Sequence, residues 1–315
     1  MFSKNRYGNS EWIKNLKSDE HYSGVYCVRN IDLGRDYHLN LVHQMGVRNQ
    51  ETQKYYEDDQ FYTQHVVASE WFGKEKEEYL SGKWDAYFDY LMSRMNSNLP
   101  LIDVGCGAGW FVNYWNIGNT RFYGYGIEPS EVARRYSPDK SFIFENLSGF
   151  NKWLDGDMSY PPEFNILISL VLEHIPDPVK LIQQYLPSMG KNGTLTIVVP
   201  NDFSPLQQWL GSTHFIQDVH VNYFTPQSLL SAIYDALPDS DPVIQYEVKM
   251  SATFPMEIFE LLGFHYIEDG DLGRKCHNFR LKFEKFFKKY AFKLYEKLYD
   301  KFGIGRELIF TVKRI

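Results

Sequence analysis

Cysteine is scarce in this 315-residue chain: Cys27, Cys106 and Cys276 stand far apart. An odd, scattered set builds neither a disulfide framework nor a paired-cysteine metal site, so a cytoplasmic location is expected. A positive excess is lacking too. The formal net charge is −7, whereas a nucleic-acid binder relies on basic surface to meet phosphates, so nucleic acid is not an expected partner. No run approaches the roughly 18 apolar residues of a membrane span, and the opening MFSKNRYGNSEWIKNL has no apolar signal core. Stable membrane insertion is therefore not expected. Repeats and low-complexity tracts are missing. No set of His, Cys and carboxylates has metal-ligand spacing, so no metal is expected. What is abundant is aromatic: 17% of the residues are Phe, Trp or Tyr, enough to serve both a core and the lining of a small-molecule pocket.

The chain divides unevenly. Residues 1–60 have weak periodicity and read as an N-terminal extension that caps the substrate, with short strands expected near Gly24–Arg29 and His38–His43. Residues 61–315 read as one α/β domain. Helix is expected from about Gln60 to Asn96, with Trp84, Phe88, Leu91 and Met95 on one stripe. Five strands follow in LPLIDVG, TRFYGYGIEPS, KSFIFENL, FNILISLVLEHIPDP and GTLTIVVPN, separated by helical stretches. That alternation implies a parallel sheet covered on both faces. Residues 202–275 read as a substrate-covering insertion. Within it TPQSLLSAIYDAL is a helix with Thr225 as N-cap and Pro226 in its first turn, and PVIQYEVKM is a sixth strand. Lys275–Phe302 reads as one long amphipathic helix, its apolar stripe running through Phe279, Phe283, Phe286, Tyr290, Leu294 and Leu298 with lysines opposite. GRELIFTVKRI closes the sheet.

The strand Leu101–Val104 feeds Gly105-Cys106-Gly107-Ala108-Gly109. Glycines allow positive φ and a close approach of ligand to backbone. A dinucleotide fingerprint would place its third glycine at Trp110, where an indole obstructs the close packing of helix on strand. Asp103 at the strand end can take up an amino group. Glu128, closing the second strand, can accept both hydroxyls of a ribose, although it would serve a nicotinamide nucleotide equally well. Asn146, ending the third strand, is placed to meet an adenine edge.

In their order and spacing, DVGCGAG, GIEPS, FENL and ISLVLEHIPDP resemble the class I S-adenosylmethionine (SAM)-dependent methyltransferases. The resemblance covers roughly residues 55–315. It implies a doubly wound, seven-stranded, mostly parallel α/β sheet with an antiparallel last strand. It implies SAM as cofactor, held by Asp103, Gly105, Gly107, Glu128 with Pro129, and Asn146 with Leu147, with Ser169 and Leu170 lining the cleft. His174 is expected to line the cofactor or support the turn beside it. A tyrosine ahead of the first strand often closes such a site; Tyr56 and Tyr62 are the candidates, with ordinary aromatic packing as the other reading.

An alcohol acceptor must lose a proton during methyl transfer, and histidine is the usual base. His220, in DVHVNYFTPQSL, resembles a histidine that family members acting on small molecules carry beside the cleft, followed by an aromatic pair, here Tyr223-Phe224. His220 is read as general base with Tyr223 beside it. The competing reading is a histidine that only fixes its loop. His214 is a weaker candidate. Sugar C-methyltransferases resemble this stretch but carry Glu where this chain has Val219, and they carry a cysteine-rich zinc module that Cys27 alone cannot supply. ATFPMEIFELLGFHYIED and GRELIFTVKR resemble the tails of methyltransferases from polysaccharide and small-metabolite gene clusters. Together these imply O-methylation of a sugar, nucleotide-sugar or related metabolite. N-methylation of a small metabolite and non-catalytic SAM binding are the alternatives, with a nicotinamide dehydrogenase disfavoured by Trp110. A small-molecule substrate is the expected partner. A homodimer is compatible with the sequence but not required by it.

Overall fold

The computed structural model describes residues 41–42, 85–119, 121–155, 163–175, 177–201, 204–206, 222–237, 246–263 and 271–314. Seven strands form the main sheet: β1 (Leu101–Val104), β2 (Gly124–Ile127), β3 (Ile143–Phe144), β4 (Asn165–Ser169), β5 (Thr194–Pro200), β6 (Tyr246–Ala252) and β7 (Glu307–Arg314). Their order is β3-β2-β1-β4-β5-β7-β6. The pairs β1–β2, β1–β4, β2–β3 and β4–β5 are parallel, while β7 runs antiparallel to both β5 and β6. The expected doubly wound sheet with an antiparallel last strand is therefore present.

The central strands are buried along nearly their whole length, as apolar runs sandwiched between helical layers must be. On one face, Leu101, Leu167, Val198 and Ile309 pack against α1 (Ala86–Ser93) and α2 (Trp110–Gly118) through Leu91, Phe111 and Trp115. Two short helices follow the next strands: α3 (Glu131–Arg135) and α4 (Leu147–Leu154). On the other face, Ile102, Ile166, Ile197 and Phe310 meet α5 (Pro178–Met189) and α6 (Pro226–Ala236) through Ile182, Tyr185, Leu229 and Ile233. The predicted cap of α6 is present: Thr225 and Ser228 exchange side-chain and backbone hydrogen bonds in a capping box. Both α6 and β6 lie within residues 202–275, so that stretch contributes to the sheet and its covering layer.

Two sequence expectations need correction. The helix expected from about Gln60 to Asn96 is interrupted at Asp85, whose extended backbone and capping side chain start α1, and it gives way at Arg94. The single helix expected over Lys275–Phe302 is two: after the short α7 (Glu257–Leu261) come α8 (Asp271–Phe287) and α9 (Lys289–Phe302). Lys288 between them has φ 47°, a backbone region that a side chain disfavours. The break rotates the helical phase, so the stripe drawn through both halves is not a buried one. Phe279, Phe286, Tyr290 and Leu294 are exposed, while Phe292, Tyr295 and Tyr299 form the inner face of α9.

Arg94 holds α1 to the sheet edge. Its Nε donates to Thr311 Oγ1 at 3.1 Å, one terminal nitrogen to Glu296 Oε1 at 3.1 Å and the other to the Lys249 carbonyl at 2.8 Å. One buried guanidinium thus ties α1 to β7, α9 and β6. Arg94→Ala leaves Glu296 and the Lys249 carbonyl without these donors, and is expected to lower unfolding free energy in a urea titration by about 3 kcal/mol. An effect below about 1 kcal/mol would show the cluster to be dispensable.

Candidate functional site

The chain lays β1, β2 and β3 to one side, then returns to place β4 and β5 on the other side of β1. Loops leaving β1 and β4 diverge at that reversal, and an open α/β sheet binds ligands in the crevice so formed. In the first loop Gly105 has φ 67°, and a Cβ there would lie 2.5 Å from Val171 Cγ2. Only glycine permits this turn with Val171, from the loop after β4, packed against it. Gly107 also has positive φ, 56°, and its N–H donates to Glu128 Oε2 at 2.9 Å.

Glu128 connects the parts of the rim. Its Oε1 accepts from Ser130 N–H at 2.8 Å, at the N-cap of α3. Its backbone N–H donates to the Phe144 carbonyl at 2.9 Å, which draws the end of β3 alongside. There Asn146 caps α4, its Oδ1 accepting from Gly149 N–H at 2.8 Å, with Leu147 opening the helix. Pro129 is exposed, and Arg134 donates to the carbonyls of Glu128 at 2.6 Å and Pro129 at 2.7 Å.

Two carboxylates are therefore buried beside the glycine loop: Asp103 is 4% exposed and Glu128 7%. Burial, and then the charge of Glu128, push Asp103 from its ordinary 3.8 up to about 8. Burial also raises Glu128, against the opposing effects of its two amide hydrogen bonds and of Arg134. Burial pushes the Cys106 thiol well above its usual range, and a Cβ on Gly126 would fall 2.3 Å from Cys106 Sγ. Cys106 is thus a packing residue filling the space that Gly126 leaves.

On the other side of the crevice, Ser169 ends β4, half-buried. Leu170 is exposed with φ 55°, a strained conformation for a non-glycine residue. Its N–H donates to the Val198 carbonyl at 2.9 Å. His174 closes a 3₁₀ turn, Leu172–His174, with Nε2 3.9 Å from Glu173 Oε1. The buried Asn222 clamps this turn, its Nδ2 donating to the carbonyls of Leu172, at 2.6 Å, and Ile175. Asn222–Tyr223 also pairs antiparallel with Leu41–Val42, which joins the N-terminal segment to the segment after β5. The strand expected over His38–His43 is seen in that pair of residues.

Asp103, Gly105, Gly107, Glu128, Pro129, Asn146, Leu147, Ser169, Leu170 and His174 thus lie along one rim. Tyr56, Tyr62, His214 and His220 lie outside the described residues, and of Tyr223 only the backbone is described. Sequence reasoning missed Tyr87. Burial, and then Glu307, raise the titration of its phenol, while the nearby Ser169 hydroxyl and Arg280 oppose them. It sits beside Phe88 of the apolar stripe, and no periodicity marks it.

A doubly wound sheet with a glycine loop and paired buried carboxylates at its switch point defines a Rossmann-like α/β protein with a ligand crevice at that point. Residues 77–236 match the family described as methyltransferase domain, about half of the chain. The chain belongs to this family: it is a SAM-dependent methyltransferase, with SAM as its cofactor. Its structure is similar to a SAM-dependent methyltransferase from Archaeoglobus fulgidus, at 16% identity, covering 73% of this chain and 92% of that one, with a TM-score of 0.44. It is also similar to the plantazolicin methyltransferase BamL in complex with a triazolic desmethylPZN analog and SAH, at 12% identity over 85% and 98% of the two chains, TM-score 0.46. A possible histamine N-methyltransferase from Thermotoga maritima matches at 13% identity over 82% and 98%, TM-score 0.46. Comparison with curated protein sequences gives no match.

The raised Asp103 makes stability depend on pH. Between 3.8 and about 8 the folded state keeps a proton that the unfolded chain gives up. This contribution is full below that window and is lost as pH rises through it. Asp103→Asn is therefore expected to gain stability over the unsubstituted protein by on the order of 1 kcal/mol per pH unit within the window. Denaturant titrations across the window test this, and parallel pH profiles for the two proteins would contradict it.

Proposed function

We propose that this enzyme methylates a small polar acceptor, an oxygen of a sugar, nucleotide-sugar or related metabolite such as a polysaccharide precursor, with His220 as general base and Tyr223 beside it. SAM would lie along the rim. Asp103 takes its amino group, the side-chain-free backbone of Gly105 and Gly107 lets it approach closely, Glu128 with Pro129 accepts the ribose, and Asn146 with Leu147 meets the adenine. Ser169, Leu170 and His174 line the opposite wall, and Tyr56 and Tyr62 close the site from the N-terminal segment.

The observation that carries the cofactor assignments is the pair of buried carboxylates. Burial and the charge of Glu128 keep Asp103 protonated near neutral pH, and a ligand bearing a sulfonium and an ammonium favours its ionised form. Glu128 can serve the ribose without releasing Gly107 or Ser130, because each carboxylate oxygen has a further lone pair. Asn146 uses its Oδ1 as a cap, so its Nδ2 is the group available to an adenine acceptor. When bound, SAM supplies a methyl already activated for in-line displacement; the protein's task is to align the acceptor and remove its proton. For the base, the support is sequence position. His220 precedes by two residues Asn222, whose side chain is bonded to the turn after β4.

A second reading is favoured by the acids near Tyr87. Glu307 and Asp85 both act on its phenol; carboxylates would draw in an amine as its cation, which then gives up a proton to solvent or to a carboxylate before its lone pair displaces the methyl, so the reaction would be N-methylation of a small amine.

Two measurements separate these claims. Calorimetry of SAM binding near neutral pH, in buffers of different ionisation heat, is expected to detect release of close to one proton as Asp103 ionises. Affinity then strengthens as pH rises toward about 8, and Asp103→Asn abolishes the release and weakens binding at least about tenfold. Equal heats in all buffers would remove Asp103 from the site. With an acceptor in hand, His220→Ala is expected to reduce kcat by on the order of 10²–10⁴ while sparing SAM affinity. Undiminished turnover would favour the amine reading.

A further inference from the structure

The elbow between α8 and α9 reads Lys285-Phe286-Phe287-Lys288-Lys289-Tyr290, and all six residues are exposed. Phe286 is 81% exposed and Tyr290 64%. Contiguous exposed aromatics are unfavourable in water and mark an interaction surface. Lys288 holds the turn at a φ of 47°, a strained conformation with no glycine to ease it. Lys289 and Lys293 stand over the Tyr290 ring at 5.7 and 5.9 Å. Along α9, Tyr290, Lys293, Leu294, Lys297 and Lys301 share one helical face, opposite the buried Phe292, Tyr295 and Tyr299. Two acids of these helices point inward: Glu284 pairs with Arg280 at 3.7 Å and Glu296 with Arg94 at 3.1 Å. The outer face is left rich in lysine on a chain whose formal charge is −7.

We infer that this elbow docks the enzyme on an anionic phospholipid surface, with the aromatic rings entering the headgroup layer and the lysines meeting phosphates. Charge complementarity selects this occupant. A second copy of the chain would set lysines against lysines, which opposes pairing. No helix among the described residues is long and apolar enough to cross a membrane, so the attachment is peripheral. The inference is independent of the acceptor and of the residues assigned to SAM.

The test uses the full-length protein, sedimented with vesicles of phosphatidylcholine alone and with vesicles containing about one third phosphatidylglycerol. Pelleting is expected with the anionic vesicles only, and declines as salt rises. Lys288→Glu combined with Lys289→Glu is expected to weaken vesicle affinity at least about tenfold. Phe286→Ser combined with Phe287→Ser is expected to weaken it comparably, while Lys180→Glu on the exposed face of α5 leaves it unchanged. Retained SAM binding verifies that each variant is folded. Failure of the unsubstituted protein to pellet with anionic vesicles would overturn the inference, as would an equal loss in Lys180→Glu. So would vesicle binding that survives removal of both phenylalanines while single-stranded RNA is captured equally well, the mark of a general polyanion site. Light scattering that shows a dimer dissociated by Phe286→Ser would assign the surface to a second copy instead.

Discussion

Both carboxylate oxygens of Glu128 are bonded to backbone amides, and the two amides belong to different segments. Gly107 lies in the loop over β1 and Ser130 at the start of α3. A single side chain therefore sets how far the glycine loop stands from the end of β2. Its own backbone amide sets the distance to β3. The carboxylate that fixes this geometry also adds negative charge beside Asp103, which is already desolvated. Arg134 offsets part of it. A rim assembled this way is geometrically finished but electrostatically short of positive charge, the condition in which a cationic nucleoside gains most from binding.

The strands bearing this rim were legible because burial on both faces leaves apolar runs that few other elements produce. LIDV, NILIS and TLTIVVP are such runs, and the residues proposed to hold the cofactor follow the first two. The third strand was less legible. KSFIFENL reads as one strand, yet only Ile143–Phe144 pair. The side chain of Asp139 takes the Ser141 amide and that of Asn146 takes the Gly149 amide. Local side-chain hydrogen bonds convert the flanks of the run into a 3₁₀ turn and a helix cap, and apolar patterning does not report such competition.

The C-terminal helices show a different kind of illegibility. Continuous helical spacing predicts one helix from Lys275 to Phe302, and neither glycine nor proline at position 288 warns of the break. The phase change decides which aromatics are buried. Tyr295 is inside, where its hydroxyl reaches Glu284 at 3.4 Å, and Phe286, the more apolar side chain, is outside. Tyr87 was hidden for a related reason. The groups that act on its phenol, Glu307 and Ser169 among them, are distant in sequence, and nothing in the spacing of α1 distinguishes it from its neighbours. Contacts made between elements, rather than within them, are what a single sequence conceals.

The charge of the chain has the same two levels. A net −7 describes the far field, and on it rests the expectation that nucleic acid is not a partner. At physiological salt that field is screened within about 8 Å, so a surface in contact with the protein responds to the nearest charges and not to their sum. Folding sorts those charges: Glu284 and Glu296 turn toward Arg280 and Arg94 inside, and the lysines between them along the chain turn out. The acids that make the composition negative are thus partly used up within the fold, while the outer face of α8 and α9 keeps its cations. Composition alone could exclude a uniformly basic protein. It could not exclude one local surface of opposite sign, because which residues face outward is settled by packing at Lys288 and along the buried face of α9.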